Sequence, residues 1–212
     1  GGCRMESTRI KIVGMGSKGG IAMQMVADLD ASGHDCTWFN AGDENFDHSK
    51  FDVRSSLSGA HWLLIEASSF GKSESAASAT GAAMVFAELE GAKTVVIVDE
   101  GENMDSDRAW GSIVERIRQI GFISMTSEGR SWIARLEGVD EKSVGDLLRS
   151  RGLVSIVAIL DVHTGRIEIH HSLGVETGVS DRRSLQSLVG RMLLHLPSSS
   201  YSNEGIRRSA GI

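Results

Sequence analysis

A glycine-rich turn near the start of the chain most constrains what this sequence can fold into. Residues 11–20 read KIVGMGSKGG, an apolar run precedes Gly14, and a helical pattern of apolar residues begins at Ile21. Strand, glycine turn and helix in this order is how α/β proteins present backbone N–H groups to a phosphate. We therefore expect an α/β fold with this turn at the end of its first strand.

Strand and helix patterns then alternate through the first part of the chain. Because the connections are short, this order predicts a mostly parallel, Rossmann-like or P-loop-like sheet with right-handed crossovers, in a three-layer sandwich. Strands are predicted at residues 10–13, 34–40, 61–67 and 94–98, and helices at residues 21–32 and 76–89 and from Ser106 onward.

The last third of the chain has a different pattern. Residues 154–162 and 166–170 flank a turn at His163-Thr164-Gly165, and apolar residues between Leu185 and Leu193 mark a final helix. These features predict a hairpin and a helix added to the core. We expect one domain over residues 5–197, with a core at 9–125 and an addition at 126–197. Residues 198–212 are expected to be a mobile tail.

The composition of the chain excludes some classes of function. The net charge of −6 argues against nucleic acid as a direct ligand, and no apolar run reaches the length of about 18 residues that a membrane helix needs. Cys3 and Cys36 have neither a zinc-site spacing nor the number that a disulfide framework requires. We expect a cytoplasmic protein with reduced thiols.

The glycine turn and its surroundings resemble the ParA/MinD-type ATPases, whose first strand is followed by K-G-G-x-G-K-[ST]. Lys18 matches the signature lysine of that family, and residues 22–36 follow its helix-then-strand pattern. Glu66, followed by Gly71, is similar to the acid of its third strand and its switch glycine. The resemblance covers residues 9–121 and implies a nucleotide-binding regulator that associates with a protein partner or a second copy of itself.

The lysine and hydroxyl of a P-loop are missing. Residues 21–24 are Ile-Ala-Met-Gln, so nothing at these positions neutralises a γ-phosphate or holds magnesium. We therefore predict a non-catalytic or weakly active pseudo-ATPase, with no catalytic residue and no metal site. ATP or another nucleotide would bind weakly to the backbone of the turn. The predicted cofactor-binding residues are Gly14, Gly16, Ser17, Lys18, Gly19, Gly20, Asn40 and Glu66.

Three alternatives stay open at this point. Gly14, Gly16 and Gly19 satisfy the dinucleotide fingerprint G-x-G-x-x-G, with Asn40 where a dehydrogenase has an acid, which would make the chain an NAD(P)-binding oxidoreductase. Residues 10–40 and 81–89 also resemble the tubulin/FtsZ family, although its phosphate loop is replaced at residues 72–78. Finally, the glycines can serve tight packing alone, in a domain with no nucleotide.

Other polar residues are weaker candidates. Glu66 ends a predicted buried strand, where ligands bind in open α/β sheets, but a solvated carboxylate at a strand end is the simpler explanation. Asp99, Glu100 and Glu102 follow the next strand and could bind Mg²⁺ or simply form an acidic loop. His170 and His171 are adjacent on a strand, so they face opposite sides and cannot share one metal ion.

Overall fold

The computed structural model describes residues 9–41, 52–99 and 106–212, in which eight strands form one sheet flanked by eight helices. The predictions for Cys3, Glu100 and Glu102 lie outside these described residues. The strands are β1 (Lys11–Gly16), β2 (Asp35–Asn40), β3 (Trp62–Glu66), β4 (Lys93–Val98), β5 (Ile120–Thr126), β6 (Ile156–Leu160), β7 (Arg166–His171) and β8 (Gly174–Val179). The helices are α1 (Ile21–Ala31), α2 (Val53–Leu57), α3 (Glu74–Glu90), α4 (Ser106–Glu115), α5 (Ser127–Glu137), α6 (Val144–Gly152), α7 (Leu185–His195) and α8 (Asn203–Ala210).

The sheet has the order β2-β1-β3-β4-β5-β6-β7-β8, with β1 to β6 parallel and β7 and β8 antiparallel to their neighbours. The α/β prediction of a mostly parallel three-layer sandwich is therefore confirmed. The predicted hairpin forms between β6 and β7. It extends the one sheet and is not a separate addition, because β6 itself pairs with β5.

Helices cover both faces of the sheet, which explains why the central strands are almost entirely apolar. All five residues of β3 are buried, as are all five of β6. Buried side chains of α2, α3, α4, α5 and α6 form a core on the first face. Those of α1, α7 and α8 form a core on the second face.

Successive connecting helices lie on opposite faces of the sheet at one point, and a crevice forms there. The chain leaves β1 through α1 on the second face, and after β2 it continues through α2 on the first face. In open α/β sheets, ligands bind at this kind of switch point, beyond the carboxyl ends of the strands. Here it lies between β1 and β3, where the glycine turn and Glu66 are found.

Three parts of the structure differ from the sequence-based expectations. Strand β5 and helix α5 were not predicted, although β5 is a central strand of the sheet. Strand β8, at the edge of the sheet, was not predicted either. Residues 198–212, expected to be a mobile tail, include α8, in which Ile206 and Ala210 are fully buried. The amphipathic pattern of α8 was overlooked because a serine-rich stretch precedes it.

None of the helices in the described ranges is both long enough and apolar enough to cross a bilayer.

Candidate functional site

The glycine turn joins the carboxyl end of β1 to the first turn of α1, as the sequence predicted. Gly19 has a φ of +76°, a conformation that glycine adopts without strain. The backbone N–H of Gly20 donates to the Ser17 carbonyl at 2.9 Å, which closes the turn immediately before α1 begins. The local geometry is thus that of a strand, turn and helix poised to bind an anion.

The anion at this turn is supplied by the chain itself. The buried carboxylate of Glu66, at the end of β3, accepts hydrogen bonds from the backbone N–H groups of Ser17 (Oε2, 3.0 Å) and Ala22 (Oε1, 2.9 Å). A Cβ built on Gly16 would lie 2.6 Å from the Glu66 Cδ, and one built on Gly20 would overlap Oε1. Glycine is required at both positions because the carboxylate fills the space that we expected a phosphate to occupy.

The other predicted site residues do not converge on this carboxylate. A Cβ on Gly14 would lie 2.6 Å from Val26 Cγ2, so this glycine permits α1 to pack closely on β1. Lys18 is exposed. Asn40 lies one strand away, opposite Gly16 in the register of β2. The structure therefore brings together Gly16, Ser17, Gly20 and Glu66 out of the predicted set.

A second feature of the same sheet edge is an open groove of about 440 Å³ between α5 and the ends of β6, β7 and β8. Because β6 and β8 both run toward this edge, the groove lies on the side of the sheet where α1 and α5 also begin. Its lining residues are Ser127, Arg130, Ile159, Asp161, Arg166, Ile167, Glu168, Thr177, Gly178 and Val179.

The groove combines the guanidinium groups of Arg130 and Arg166 with the carboxylates of Asp161 and Glu168. Oδ1 of Asp161 accepts hydrogen bonds from the backbone N–H groups of His163 (2.9 Å) and Thr164 (3.2 Å), and these bonds hold the pKa of Asp161 below its usual value. Arg166 is exposed, and Arg130 reaches Glu168 at 3.6 Å. Such a site suits a ligand with negative charges that also binds a cation.

The start of α7 lies next to this groove. Arg183 Nη1 donates to the His163 carbonyl at 2.6 Å, and the Ser184 hydroxyl caps α7 by accepting from the Ser187 N–H at 3.2 Å. Asp181 is exposed just before α7 and has no hydrogen-bond or ion-pair partner among the described residues. Helix α7 also packs beside α1.

The residues of this groove were not among the sequence-based predictions. Residues 154–162 were predicted as a strand, and the one signal for the site was the position of Asp161 at the end of the buried part of that strand. Arg130 and Arg166 belong to no recognisable sequence motif. They meet only because β7 folds back on β6 and α5 packs against β6.

The two adjacent histidines lie on opposite faces of β7, as predicted. His170 contacts Asp146 and Glu168 on the first face, and His171 contacts Glu176 on the second. The described residues contain no group of three or more histidine, cysteine, aspartate or glutamate side chains that could hold a metal ion. Both histidines therefore act as buried partners of carboxylates in this structure.

No family model and no curated protein matches the sequence, but many solved structures share the fold. The 2-dehydro-3-deoxygluconokinase of Thermotoga maritima matches with a TM-score of 0.73 at 10% identity, over 96% of this chain and 91% of that one. A fructokinase of Xylella fastidiosa with bound ATP matches at 0.67 and 14% identity, over 95% and 74%. An adenosine kinase of Anopheles gambiae matches at 0.66 and 12% identity, over 96% and 74%. The chain has a ribokinase-like fold.

These matches correct the family resemblance drawn from the sequence. The structural neighbours are sugar and nucleoside kinases of the PfkB/ribokinase type, so the ParA/MinD-like, pseudo-ATPase interpretation is wrong. The tubulin/FtsZ and NAD(P)-binding alternatives find no support, and the strand order differs from the 3-2-1-4-5-6 order of dinucleotide-binding folds. The error arose because a glycine turn between strand and helix recurs in unrelated α/β folds.

Proposed function

We propose that this protein is an ATP-dependent phosphotransferase that transfers a phosphoryl group to a hydroxyl of a sugar or nucleoside. The observation that carries the proposal is the groove at the carboxyl edge, where Arg130, Arg166 and the ionised Asp161 meet. Its support comes from the fold, which is shared along nearly the whole chain with kinases of such substrates. The structure of the fructokinase contains ATP, and a further structural neighbour contains ATP and Mg²⁺.

In this proposal the nucleotide binds in the groove. The volume of about 440 Å³ lies within the range of about 300–1,000 Å³ that is usual for small-molecule sites. Arg130 and Arg166 would pair with phosphate oxygens. Both backbone hydrogen bonds to Asp161 go to Oδ1, and Oδ2 would bind a magnesium ion that also binds phosphates and water. The magnesium ion would neutralise charge on the phosphates.

The acceptor would bind at the switch-point crevice between β1 and β3. Exposed Lys18 and the hydroxyl of Ser68, 3.5 Å from Glu66 Oε2, provide polar contacts there. Asp181, which is exposed before α7, would accept the proton of the attacking hydroxyl. The first N–H groups of α7 would stabilise the negative charge on the phosphoryl group during transfer.

The missing P-loop residues do not weigh against this function. A lysine and hydroxyl after the glycine turn are needed only where that turn binds the phosphates of the nucleotide. Here the turn binds the carboxylate of Glu66. In the proposed arrangement the phosphates of the nucleotide are held in the groove between α5 and the ends of β6, β7 and β8.

The proposal is tested by measuring ADP release from Mg-ATP with a panel of fructose, ribose, 2-dehydro-3-deoxygluconate and adenosine. We expect release that depends on the acceptor. Asp181→Asn should lower kcat by about 100-fold or more, as loss of a general base does, with little change in ATP binding. Arg166→Gln should weaken ATP binding by about tenfold, the effect of losing one charged contact to a phosphate.

Arg118→Gln is the matched control, because Arg118 is exposed just before β5 begins, at the opposite edge of the sheet. It should leave both ATP binding and ADP release unchanged. Failure of ATP to raise the unfolding temperature, together with no ADP release for any acceptor, would contradict the proposal. A cytoplasmic location is part of it, since ATP is supplied there and Cys36 is a free thiol.

A further inference from the structure

A second cavity, of about 300 Å³, lies on the outer side of the second face between α1 and α7. It shares no lining residue with the groove at β6–β8. Its polar lining comes from Asp28 of α1 and Ser32 just after it, from Gln186, Ser187, Arg191 and His195 of α7, and from Arg182 before α7.

Among the described residues, no carboxylate pairs with either of two arginines of this cavity. Arg182 Nη1 donates to the hydroxyl of Ser187 at 2.9 Å, and Arg191 Nη2 donates to the Arg208 carbonyl at 3.1 Å. The Nε of Arg191 is buried and has no hydrogen-bond acceptor among the described residues. Two guanidinium groups without a counter-ion are notable in a chain whose net charge is −6. A buried donor without an acceptor is also energetically unfavourable.

The positive charge of the cavity affects the pKa of His195. Partial burial lowers the pKa of His195, and the positive charges of Arg191 and Arg182 lower it further. No carboxylate offsets this effect, although Asp28 of α1 lines the same cavity. The arginines therefore produce a positive potential that Asp28 does not cancel.

The cavity also has room for a ligand. Gly190 is buried, yet a Cβ built on it would contact no described atom within 4 Å outside its own helix backbone and its chain neighbours. Helix α7 thus leaves space at this residue, which immediately precedes Arg191. A group of several heavy atoms can enter there without displacing side chains.

We infer that the cavity between α1 and α7 is a binding site for a small, multiply charged anion of the phosphorylated-metabolite class. Arg182 and Arg191 supply its positive charge, Ser187 and Gln186 supply hydrogen-bonding groups, and Gly190 provides the space. An anion here makes charge-assisted hydrogen bonds, which are stronger than neutral ones. The site does not depend on the proposed phosphotransferase activity, since it lies apart from that groove.

The test is calorimetric titration with inorganic tripolyphosphate at constant ionic strength. Arg182→Gln should weaken binding by about tenfold, because one charged contact is lost. Asp28→Asn should tighten it by about two- to fivefold, because a nearby like charge is removed. Gly190→Met should abolish binding by filling the cavity, and circular dichroism should verify that this variant folds. A residue with only a structural role would not give opposite effects in the two charge variants.

Lower pH should also strengthen binding, because an anion favours the protonated form of His195. Sulfate is the probe for this measurement of pH dependence, since its charge is constant between about pH 6 and 8, whereas the charge of phosphates changes near pH 6. The charged groups near His195 are Arg182 and Arg191, Asp28 on α1, and Glu204 and Arg208 on α8.

Because the groove at β6–β8 is itself proposed to bind phosphates, each variant is also titrated in the Arg166→Gln background. Arg118→Gln is the control and should not alter tripolyphosphate binding. Binding that is lost in Arg166→Gln but kept in Arg182→Gln would overturn this inference, because the anion would then occupy the groove at β6–β8. The absence of any measurable heat or thermal stabilisation with tripolyphosphate would overturn it as well. Neither result would decide whether the enzyme transfers phosphate, which ADP release measures separately.

Discussion

Glu66 and Gly20 are packed so closely that any Cβ at residue 20 would overlap the Oε1 of the carboxylate. This contact joins the end of β3 to the residue that caps α1, across the switch point of the sheet. Gly20 has a φ of −77°, which any residue can adopt, so its only constraint is steric. The glycine at this position is explained by the carboxylate and not by the backbone.

Gly20→Ala should therefore destabilise the protein by about 2–3 kcal/mol through overpacking. In a Glu66→Ala background the same substitution should cost less than about 1 kcal/mol, because the overlapping carboxylate is gone. Urea denaturation of the four proteins in this double-mutant cycle measures the coupling. Gly19→Ala is the comparison: it has open space but a φ of +76°, so we expect a backbone penalty of about 1–2 kcal/mol that does not depend on Glu66. A coupling energy of zero would show that Glu66 does not restrict residue 20.

Glu137 should be important for stability because it joins three helices. It forms two hydrogen bonds with Arg151 of α6 (2.5 and 2.8 Å) and accepts one from the Trp110 Nε1 of α4 at 2.6 Å. Glu137→Gln should lower the free energy of unfolding at pH 7 by about 1–3 kcal/mol. Glu115→Gln, at an exposed position on α4, should change it by less than about 0.5 kcal/mol.

The contribution of Glu137 should also depend on pH. The hydrogen bond from Arg151 lowers the pKa of this carboxyl in the folded state. Its stabilisation is therefore fully present above the unfolded pKa of about 4.3 and is lost as the pH falls through the lower folded value. Urea denaturation of the parent protein and Glu137→Gln between pH 7 and pH 3 should show the difference in stability shrinking at acid pH. A constant difference would contradict the assigned cause.

Cys36 should react slowly. Its pKa is raised to about 11, first by partial burial and then by the negative charges of Asp30 and Asp35. Because only the thiolate is nucleophilic, iodoacetamide at pH 8 should modify Cys36 about 100-fold more slowly than a thiol of ordinary pKa. Mass spectrometry on a Cys3→Ser variant isolates this thiol, and the same variant in urea supplies the unperturbed rate. Equal rates in the folded and unfolded states would be evidence against the raised pKa.

The end of the chain should stabilise the core. Ile206 of α8 is fully buried among residues of the second face. Ile206→Ala should therefore lower the free energy of unfolding by about 2–5 kcal/mol. Glu204→Ala, which removes only an exposed ion pair with Arg208, should cost less than about 1 kcal/mol. Equal, small effects of both substitutions in urea denaturation would mean that α8 does not contribute to folding.

The sequence by itself determined the elements that are strongly patterned: the glycine turn, the buried β3 and β4, the hairpin of β6 and β7, and the amphipathic α7. Each has a local signal, because side-chain period and turn residues are properties of short segments. Local patterns did not reveal β5, whose alternation of glycine, serine and apolar residues is irregular. They also failed to indicate α8, because a run of serines precedes its amphipathic pattern.

Only the tertiary structure decided what occupies the glycine turn. Glu66 lies 49 residues from Ser17 in sequence, and nothing in either segment indicates that the carboxylate fills the turn. The pairing of Arg130 with the ends of β6 and β7 is likewise set by the order of the strands. A strand-turn-helix motif specifies a backbone with free N–H groups. Which negative charge those groups bind depends on the side chain that the neighbouring strand brings to them.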